Sequence, residues 1–574
     1  MTAPKNKNKG LSKKNWAAPF AKQGKCDSIG GMRRKSAKPI FKTYTQAQPS
    51  LIPPSWDELI PAEHVVRVVN RAIEQINLEP LIGQYKGGGT SSYHPGMMLK
   101  VLVYAYTQRI YSSRQIAKAL RENVNFMWLS GGNRPDFRTI NGFRGEKMKG
   151  VIEEVFTAVL ELLIEQGYVK LENYFVDGSK VEANANRHKV VWAKSRKKYQ
   201  ERLEQKVKEL LKEIEQINAA EEEAYGDEDL EELGGKGGLD AEKLEQKIQE
   251  LNQRLKEKPE DKKLAKAVKV IEKDYLPRQM RYEEQERKLA GRSSYSKTDE
   301  DATFFRMKED RGAEKPLPKP AYNVQLGTEG QFVVGFSLHQ RAGDTACLIP
   351  HLEGLQANLS RIARRRPELL PQWKDEQVHP MPKNISADAG YGSEENYAYL
   401  AAHELGNYVK YNTFHREQQK HRKVELIRKA LFRSENFPYD AERDEFTCPA
   451  NQRLTYRFTR YPKTENGYQT EVRVYEAPDC NACPLKPECT QAKNNRRLYV
   501  SFRLRRFREQ STTNLLSETG RQLRIQRNVD VEPVFGHIKH NRRFRRFSLR
   551  GMEKVKTEWG LVCIAHNMQK LAAQ

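Results

Sequence analysis

In ENYFVDGSKVEANANRH, residues 172–188, the apolar periodicity of the chain changes. Upstream, apolar residues recur at helical spacing; here Tyr174, Phe175 and Val176 form a short run that ends on Asp177-Gly178. A run of this length bounded by a turn signal predicts a strand. Downstream, PKNISADAGYGS (382–393) predicts a second strand stopping at Asp388-Ala-Gly, and GNYVKYNTF (406–414) a third. Between the first two, AYNVQLGTEGQFVVGFSLHQ (321–340) alternates on both sides of a Gly-containing turn, as a β-hairpin does. GDTACLIPHLEGLQANL (343–359), capped near Asp344 or Thr345, and EENYAYLAAHEL (394–405) predict helices. Strand, hairpin, helix, strand, helix, strand, with a long insertion after the first strand, gives an α/β core with a mixed sheet.

Outward from this core, residues 1–48 (MTAPKNKNKGLSKKN onward) are rich in Lys and Gly and predict a basic disordered arm. Residues 49–170 predict an all-helical N-terminal domain. SWDEL offers an N-cap, HVVRVVNRAI and GMMLKVLVYAYTQRI have helical spacing, and YSSRQIAKAL and NRPDFRTINGFR give two short helices. The last of these carries Arg138 and Arg144, which suits a helix-turn-helix reader of DNA; a plain helical bundle fits the pattern equally. Core residues 171–195 are followed by an insertion at 196–300. There Leu203, Val207, Leu210, Ile214 and Ile217, then Leu244, Ile248, Leu251 and Leu255, then Leu264, Val268, Ile271 and Tyr275 step as a coiled-coil seam does. The acidic, Gly-rich EEEAYGDEDLEELGGKGG separates the first two runs, predicting an antiparallel helical insertion for structure or protein contact. The core resumes over 301–415, breaks for a second insertion at 416–510, and closes over 511–574.

The 574 residues carry a formal net charge of +25, with 30% charged and 38% hydrophobic side chains. Such a field attracts polyanions, nucleic acid above all, and would also be drawn to an anionic membrane surface. No apolar run spans a bilayer and no signal peptide is evident, so a cytoplasmic, nucleoid-associated location is expected. Seven cysteines are too few and too clustered for a secreted disulfide scaffold.

Asp177 and Asp388 each follow a short apolar strand and precede a glycine turn. Singly, each is an ordinary turn signal. At the carboxyl ends of neighbouring strands, the pair would offer hard oxygen ligands to Mg²⁺. Two such ions would clamp the attacking and leaving oxygens of a phosphodiester, and that site wants a third acid. Glu532 is the candidate, at the head of VEPVFGHIKHNRRFRRF (531–547). Pro533 suits the first turn of a helix, or a kink in a longer helix from about Thr512. Lys539 falls on the Glu532 face and would reach a flanking phosphate. Arg542, Arg543, Arg545 and Arg546, interleaved with Phe544 and Phe547, continue an anion-binding track.

Cys448, Cys480, Cys483 and Cys489 form the only thiol cluster, with Cys26, Cys347 and Cys563 scattered. One CxxC plus two further thiolates suits a closed structural Zn²⁺ site; labile thiols or a disulfide are the alternatives. The flanking RLTYRFTRY and GYQTEVRVYEA predict a small β-rich module around these four cysteines.

FVDGSKVEANANRH, ISADAGYGSEENY and RNVDVEPVFGHIKHNRRFRRFSLRG resemble the three catalytic blocks of DDE transposases from bacterial insertion sequences. The resemblance is to the subgroup with a helical N-terminal domain and a cysteine module before the glutamate. YHPGMMLKVLVYAY with PDFRTINGFR resembles that N-terminal domain, and KPAYNVQLGTEGQFVVG resembles the central hairpin. The resemblance implies an RNase H-like catalytic core with Asp177, Asp388 and Glu532 as ligands of two Mg²⁺ (or Mn²⁺) ions. It matches Arg527 and Lys539 to the family's basic residues before and after the glutamate. Many relatives carry a tyrosine before that arginine; this chain has Leu523, Arg524 and Ile525 there, so no tyrosine role is implied. The expected activity is binding of terminal inverted repeats, metal-dependent cleavage and strand transfer into target DNA, within a homodimeric synaptic complex. A domesticated or inactive DNA-binding derivative, or a nuclease without joining activity, is the alternative.

Overall fold

The computed structural model describes residues 55–85, 92–222, 240–257, 259–307, 317–374, 377–378, 381–418 and 430–574. The basic arm and most of the acidic loop lie outside the described residues. In chain order the strands are β1 Asn173–Glu182, β2 Val190–Trp192, β3 Ser294–Ser296, β4 Thr303–Phe305, β5 Lys319–Glu329 and β6 Phe332–His339. They continue as β7 Gln372–Lys374, β8 Gln377–Val378, β9 Asn384–Ala387, β10 Gly406–Val409, β11 Tyr439–Asp440 and β12 Glu445–Thr447. The last are β13 Arg453–Arg460, β14 Val472–Glu476 and β15 Arg497–Val500.

The main sheet runs β10-β9-β1-β5-β4, with β6 also on β5. It is mixed: β1, β9 and β10 pair in parallel, whereas β1–β5, β5–β6 and β4–β5 are antiparallel. The hairpin turns on Gly330 and Gln331, both at positive φ (58° and 64°), as a two-residue turn that follows strand twist requires. One expectation fails here: β1 does not end at Asp177-Gly178 but continues to Glu182. Its parallel partner β9 stops opposite Val176, while the antiparallel pairing with β5 carries on from Phe175↔Thr328 to Glu182↔Ala321. Gly178 answers to close approach rather than to a turn. A Cβ there would lie 2.4 Å from Gln325 Nε2 and 2.7 Å from Asp344 Oδ1.

The N-terminal helices and the sheet share one hydrophobic core, running from Ile60 to Met568. Its centre is the C-terminal helix Met552–Ala572, which packs on helix Pro95–Thr107, on helix Ile152–Glu165 and on β6. Trp559 on that helix is fully buried, and Phe544 and Phe547 pack against its ring. The buried carboxylate of Glu558 accepts from Ser548 N–H (2.9 Å) and Leu549 N–H (3.0 Å), fixing the chain just past the basic track. The insertion forms helices Ala193–Glu222, Ala241–Glu257, Lys262–Val270 and Leu276–Leu289. Leu203, Val207, Ile214, Leu244, Ile248, Leu251, Leu264, Val268 and Ile271 give it a separate core. Strands β11–β15 make a five-stranded antiparallel sheet around Phe446, Leu454, Tyr475 and Leu498.

Of the two expected settings Pro533 takes the second: it stands inside a longer helix, near its end, although that helix, Glu518–Gly536, starts after Thr512. A proline leaves the carbonyl four residues back without its helical donor. That carbonyl, Val529 O, instead accepts from Gln331 Nε2 at 2.7 Å, so the hairpin turn repairs the helix.

Two buried histidines tie layers together. His351 Nε2 meets Tyr174 Oη at 2.8 Å and its Nδ1 meets Ser337 Oγ at 2.8 Å. His566 Nε2 lies 2.9 Å from Gln331 O. Burial pushes both imidazoles down to about 3 from 6.5. The unfolded chain therefore binds their protons below pH 6.5 while the folded chain does not. Stability is expected to fall from pH 6.5 toward 3 by about 1.4 kcal/mol per pH unit for each histidine. Urea midpoints measured across that range check this; a flat profile between pH 6 and 4 would contradict it.

Candidate active site

The parallel register ends with Val176↔Ala387↔Val409, which sets the next residues, Asp177 within β1, Asp388 after β9 and Lys410 after β10, side by side where the parallel pairing stops. Asp388 closes β9 and its Oδ1 accepts from Gly390 N–H at 2.8 Å, capping the turn Ala389–Tyr391. Asp177 is 17% exposed and pairs with Arg527 Nη2 at 3.3 Å.

A third aspartate joins them. Asp344 makes no side-chain cap to the following helix. Its Oδ1 instead accepts from Asn323 Nδ2 (2.8 Å) and Gln325 Nε2 (3.0 Å), two buried amides of β5. The Tyr391 hydroxyl donates to Gln325 Oε1 beneath this group. Burial, then the charges of Asp344, Asp177 and Asp388, hold the Tyr391 phenol well above its ordinary range.

Glu532 reaches the same place from helix Glu518–Gly536. The guanidinium of Arg527, 5% exposed, spans Asp177 (3.3 Å) and Glu532 Oε1 (3.4 Å), so one side chain links two acids predicted to act together. Glu532 is itself 56% exposed. Lys410 lies within electrostatic reach of both Asp388 and Glu532. Burial, then repulsion from Arg527 and Arg524, pushes its ammonium below its ordinary value. Lys539 lies in the π-helical turn His537–Asn541 that follows the helix of Glu532. Its buried ammonium donates to Ser179 Oγ and Lys180 O, both at 3.1 Å, beside β1.

The predicted arginine contacts divide by burial. Arg543, Arg545 and Arg546 are exposed, as is Arg138. Arg542 and Arg144 are 3% exposed and turn inward. Arg144 donates to Tyr106 Oη (3.0 Å) and Tyr111 O (2.8 Å), and Arg542 donates to Tyr106 O. Both are corrected from surface cations to struts between the N-terminal helices and the C-terminal segment. Phe544 and Phe547, placed in the track as interleaved aromatics, are core anchors at 1% and 2% exposure. The segment is irregular, with Arg543 at φ 56° and a single bridge from Arg546 to Glu182 of β1, and this irregular path turns both rings, three residues apart, onto Trp559.

Cys448, Cys480, Cys483 and Cys489 line one small cavity of about 20 Å³ beside β14 and β15, room for about one water-sized particle. Burial raises the Cys489 thiol above its ordinary value; Arg496 opposes this, and the charges of Cys448, Cys480 and Cys483 add to it. As placed, however, no three His, Cys, Asp or Glu side chains among the described residues form a group that could hold a metal ion. The thiols surround a common space without closing on it, and Arg527 occupies the gap between Asp177 and Glu532.

Residues 447–572, which contain the four clustered cysteines and Glu532, match the family model described as "Transposase DDE domain". Residues 54–146 match "Transposase domain (DUF772)". Together they support a DDE-type transposase of insertion sequences. Neither match includes Asp177 or Asp388. Neither a curated protein nor a solved structure matches the chain.

Two residues of the site escape sequence reasoning. Asp344 reads as a helix cap. Lys410 is visible in principle, since it follows its strand as Asp388 follows β9. Asp344→Ala is expected to remove one acceptor from each of the Asn323 and Gln325 amides, which keep Arg341 O and Asn323 Oδ1, and to lower unfolding free energy by about 1 kcal/mol. Asp344→Asn, which keeps an acceptor, should lie closer to wild type in the same urea titration; equal stability of Asp344→Ala and wild type would contradict the bonding described.

Proposed function

We propose that this chain is an insertion-sequence transposase that binds terminal inverted repeats and cuts and joins DNA with Asp177, Asp388 and Glu532. The observation that carries it is the position of Asp177 and Asp388 side by side where the parallel pairing of β1 with β9 stops, with Arg527 tying Glu532 to Asp177. The strand order around them suits the RNase H-like core that the resemblance implies. The three acids are oxygen donors alone, the set a hard divalent cation takes. Mg²⁺ or Mn²⁺, two ions, would supply activation of water and neutralisation of phosphate charge. Glu532 joins the aspartates by giving up Arg527, whose guanidinium is then free for a DNA phosphate.

In the first step a water oxygen bonds to phosphorus at the element end, and the element's 3′-oxygen leaves as a hydroxyl. In the second that hydroxyl bonds to a target phosphorus and the target's 3′-oxygen leaves. Lys410 stands where the scissile phosphate would meet Asp388. Arg543, Arg545 and Arg546 would hold flanking phosphates, and exposed Arg114, Lys118 and Arg138 those of the inverted repeat. Two ends must be joined together, which calls for a homodimeric synaptic complex. A nucleoid-associated protein is expected; no helix among the described residues is long and apolar enough to cross a membrane.

Asp177→Ala and Asp388→Ala should each lower Mg²⁺-dependent cleavage of cognate ends by on the order of 10³-fold while leaving DNA binding in place. Equal cleavage by variants and wild type would overturn the assignment; binding without cleavage by wild type would favour an inactive derivative. Products without new strand junctions would favour a nuclease. We also propose that the four clustered thiols hold one structural Zn²⁺. Metal analysis of reduced full-length chain should find about one zinc, lost in Cys480→Ser; zinc-free chain of unchanged stability would contradict this.

A further inference from the structure

The sheet β11–β15 has two faces, and only one is used. On the inner face Phe446, Leu454, Tyr475 and Leu498 form the module's core. An irregularity in register between Tyr456 and Phe458 turns β13 over, so that Phe458 pairs with Val474, and Val474 in turn with Tyr499. Strand alternation places all three on the outer face, because their neighbour Tyr475 and its partner Leu498 face inward. Val474 is fully buried yet lies outside the module's core. Its cross-strand neighbours on that face are Phe458, 44% exposed, and Tyr499, 55% exposed.

Cations surround these rings. The next row outward pairs Glu476 with Arg497, at 3.2 Å, and Arg457 lies 3.8 Å from the same carboxylate. Arg460, exposed, pairs opposite Val472 on the following row of that face. On the Glu476 row, Glu445 stands opposite Thr455 and is met by Arg453 at 3.5 Å, so four guanidinium groups answer two carboxylates around two aromatic rings on neighbouring-but-one strands, about 10 Å apart at the strand spacing.

We propose that this face is a stacking platform for unpaired DNA bases. The proposal rests on the DNA-processing function above and extends it to the state of the DNA. An excess of arginine disfavours a basic partner and favours a polyanion. Flat exposed rings offer nothing to a closed duplex, whose bases are already stacked; they suit bases opened near a cut, with arginines tracking the backbone.

The test uses full-length chain with a fluorescent single-stranded oligonucleotide and, in parallel, the corresponding duplex carrying the element end. The double substitution Phe458→Leu and Tyr499→Leu keeps apolar side chains beside Val474 but removes both π faces. Single-strand affinity is expected to fall on the order of tenfold or more, with duplex affinity and melting temperature unchanged. Phe458→Tyr with Tyr499→Phe should bind as wild type. Unchanged single-strand binding by the leucine variant, with duplex binding intact, overturns the platform and leaves the transposase assignment standing. Loss of self-association on substitution, with single-strand affinity unchanged, would overturn it in favour of a contact between copies. Failure of wild type to bind either probe would instead sink the DNA-processing function itself.

Discussion

Parallel pairing of β1 with β9 is the constraint on which the rest of the site depends. It ends with Val176 opposite Ala387, so that two aspartates leave the pairing together. A slip of one residue would send one carboxylate to the other face of the sheet. The register is held from both sides of the sheet. Tyr174, Phe175, Ile385 and Ala387 are buried, and Tyr174 is locked by its hydrogen bond to His351. Space is equally exacting: a Cβ on Gly327 would lie 1.8 Å from the Tyr174 ring.

The second constraint is electrostatic. Asp177, Asp344 and Asp388 gather around one buried phenol, and such like charges repel unless something answers them. Amides of β5 answer Asp344, a backbone N–H answers Asp388, and Arg527 answers Asp177. Arg527 is buried, with its Nε lacking a hydrogen-bond partner, so it is held by its two carboxylates rather than by solvent. The helix that carries it is fitted to the sheet by Gln331, on the Val529 carbonyl, and by Asp530. That carboxylate accepts from Thr328 Oγ1 at 2.6 Å and from Gln331 N–H at 3.0 Å.

Much of this is legible from local pattern. The hairpin, β9, β10, the helices after Asp344 and Asp388, and the helical insertion all follow from period and turn chemistry. What escapes are features fixed by contacts distant in sequence. Asp177-Gly178 looks like a strand end because nothing local reveals that β5 continues beside it. Arg144 and Arg542 look like surface cations because the carbonyls and hydroxyls that receive them lie elsewhere in the chain. Pro533 looks like a helix start because its repair comes from a glutamine some 200 residues away. Phe544 and Phe547 resemble a nucleic-acid track until Trp559 is brought beside them.

If Asp177, Asp388 and Glu532 share divalent cations, Arg527, which now stands between Asp177 and Glu532, must give way. Crystals of the chain with an element-end DNA, grown with Mn²⁺ and recorded at its absorption edge, test this most directly. Anomalous peaks are expected between Asp177 and Asp388, with Glu532 turned onto them and Arg527 displaced. Manganese absent from that position, with Arg527 still joining Asp177 to Glu532 on bound DNA, would contradict shared metal binding.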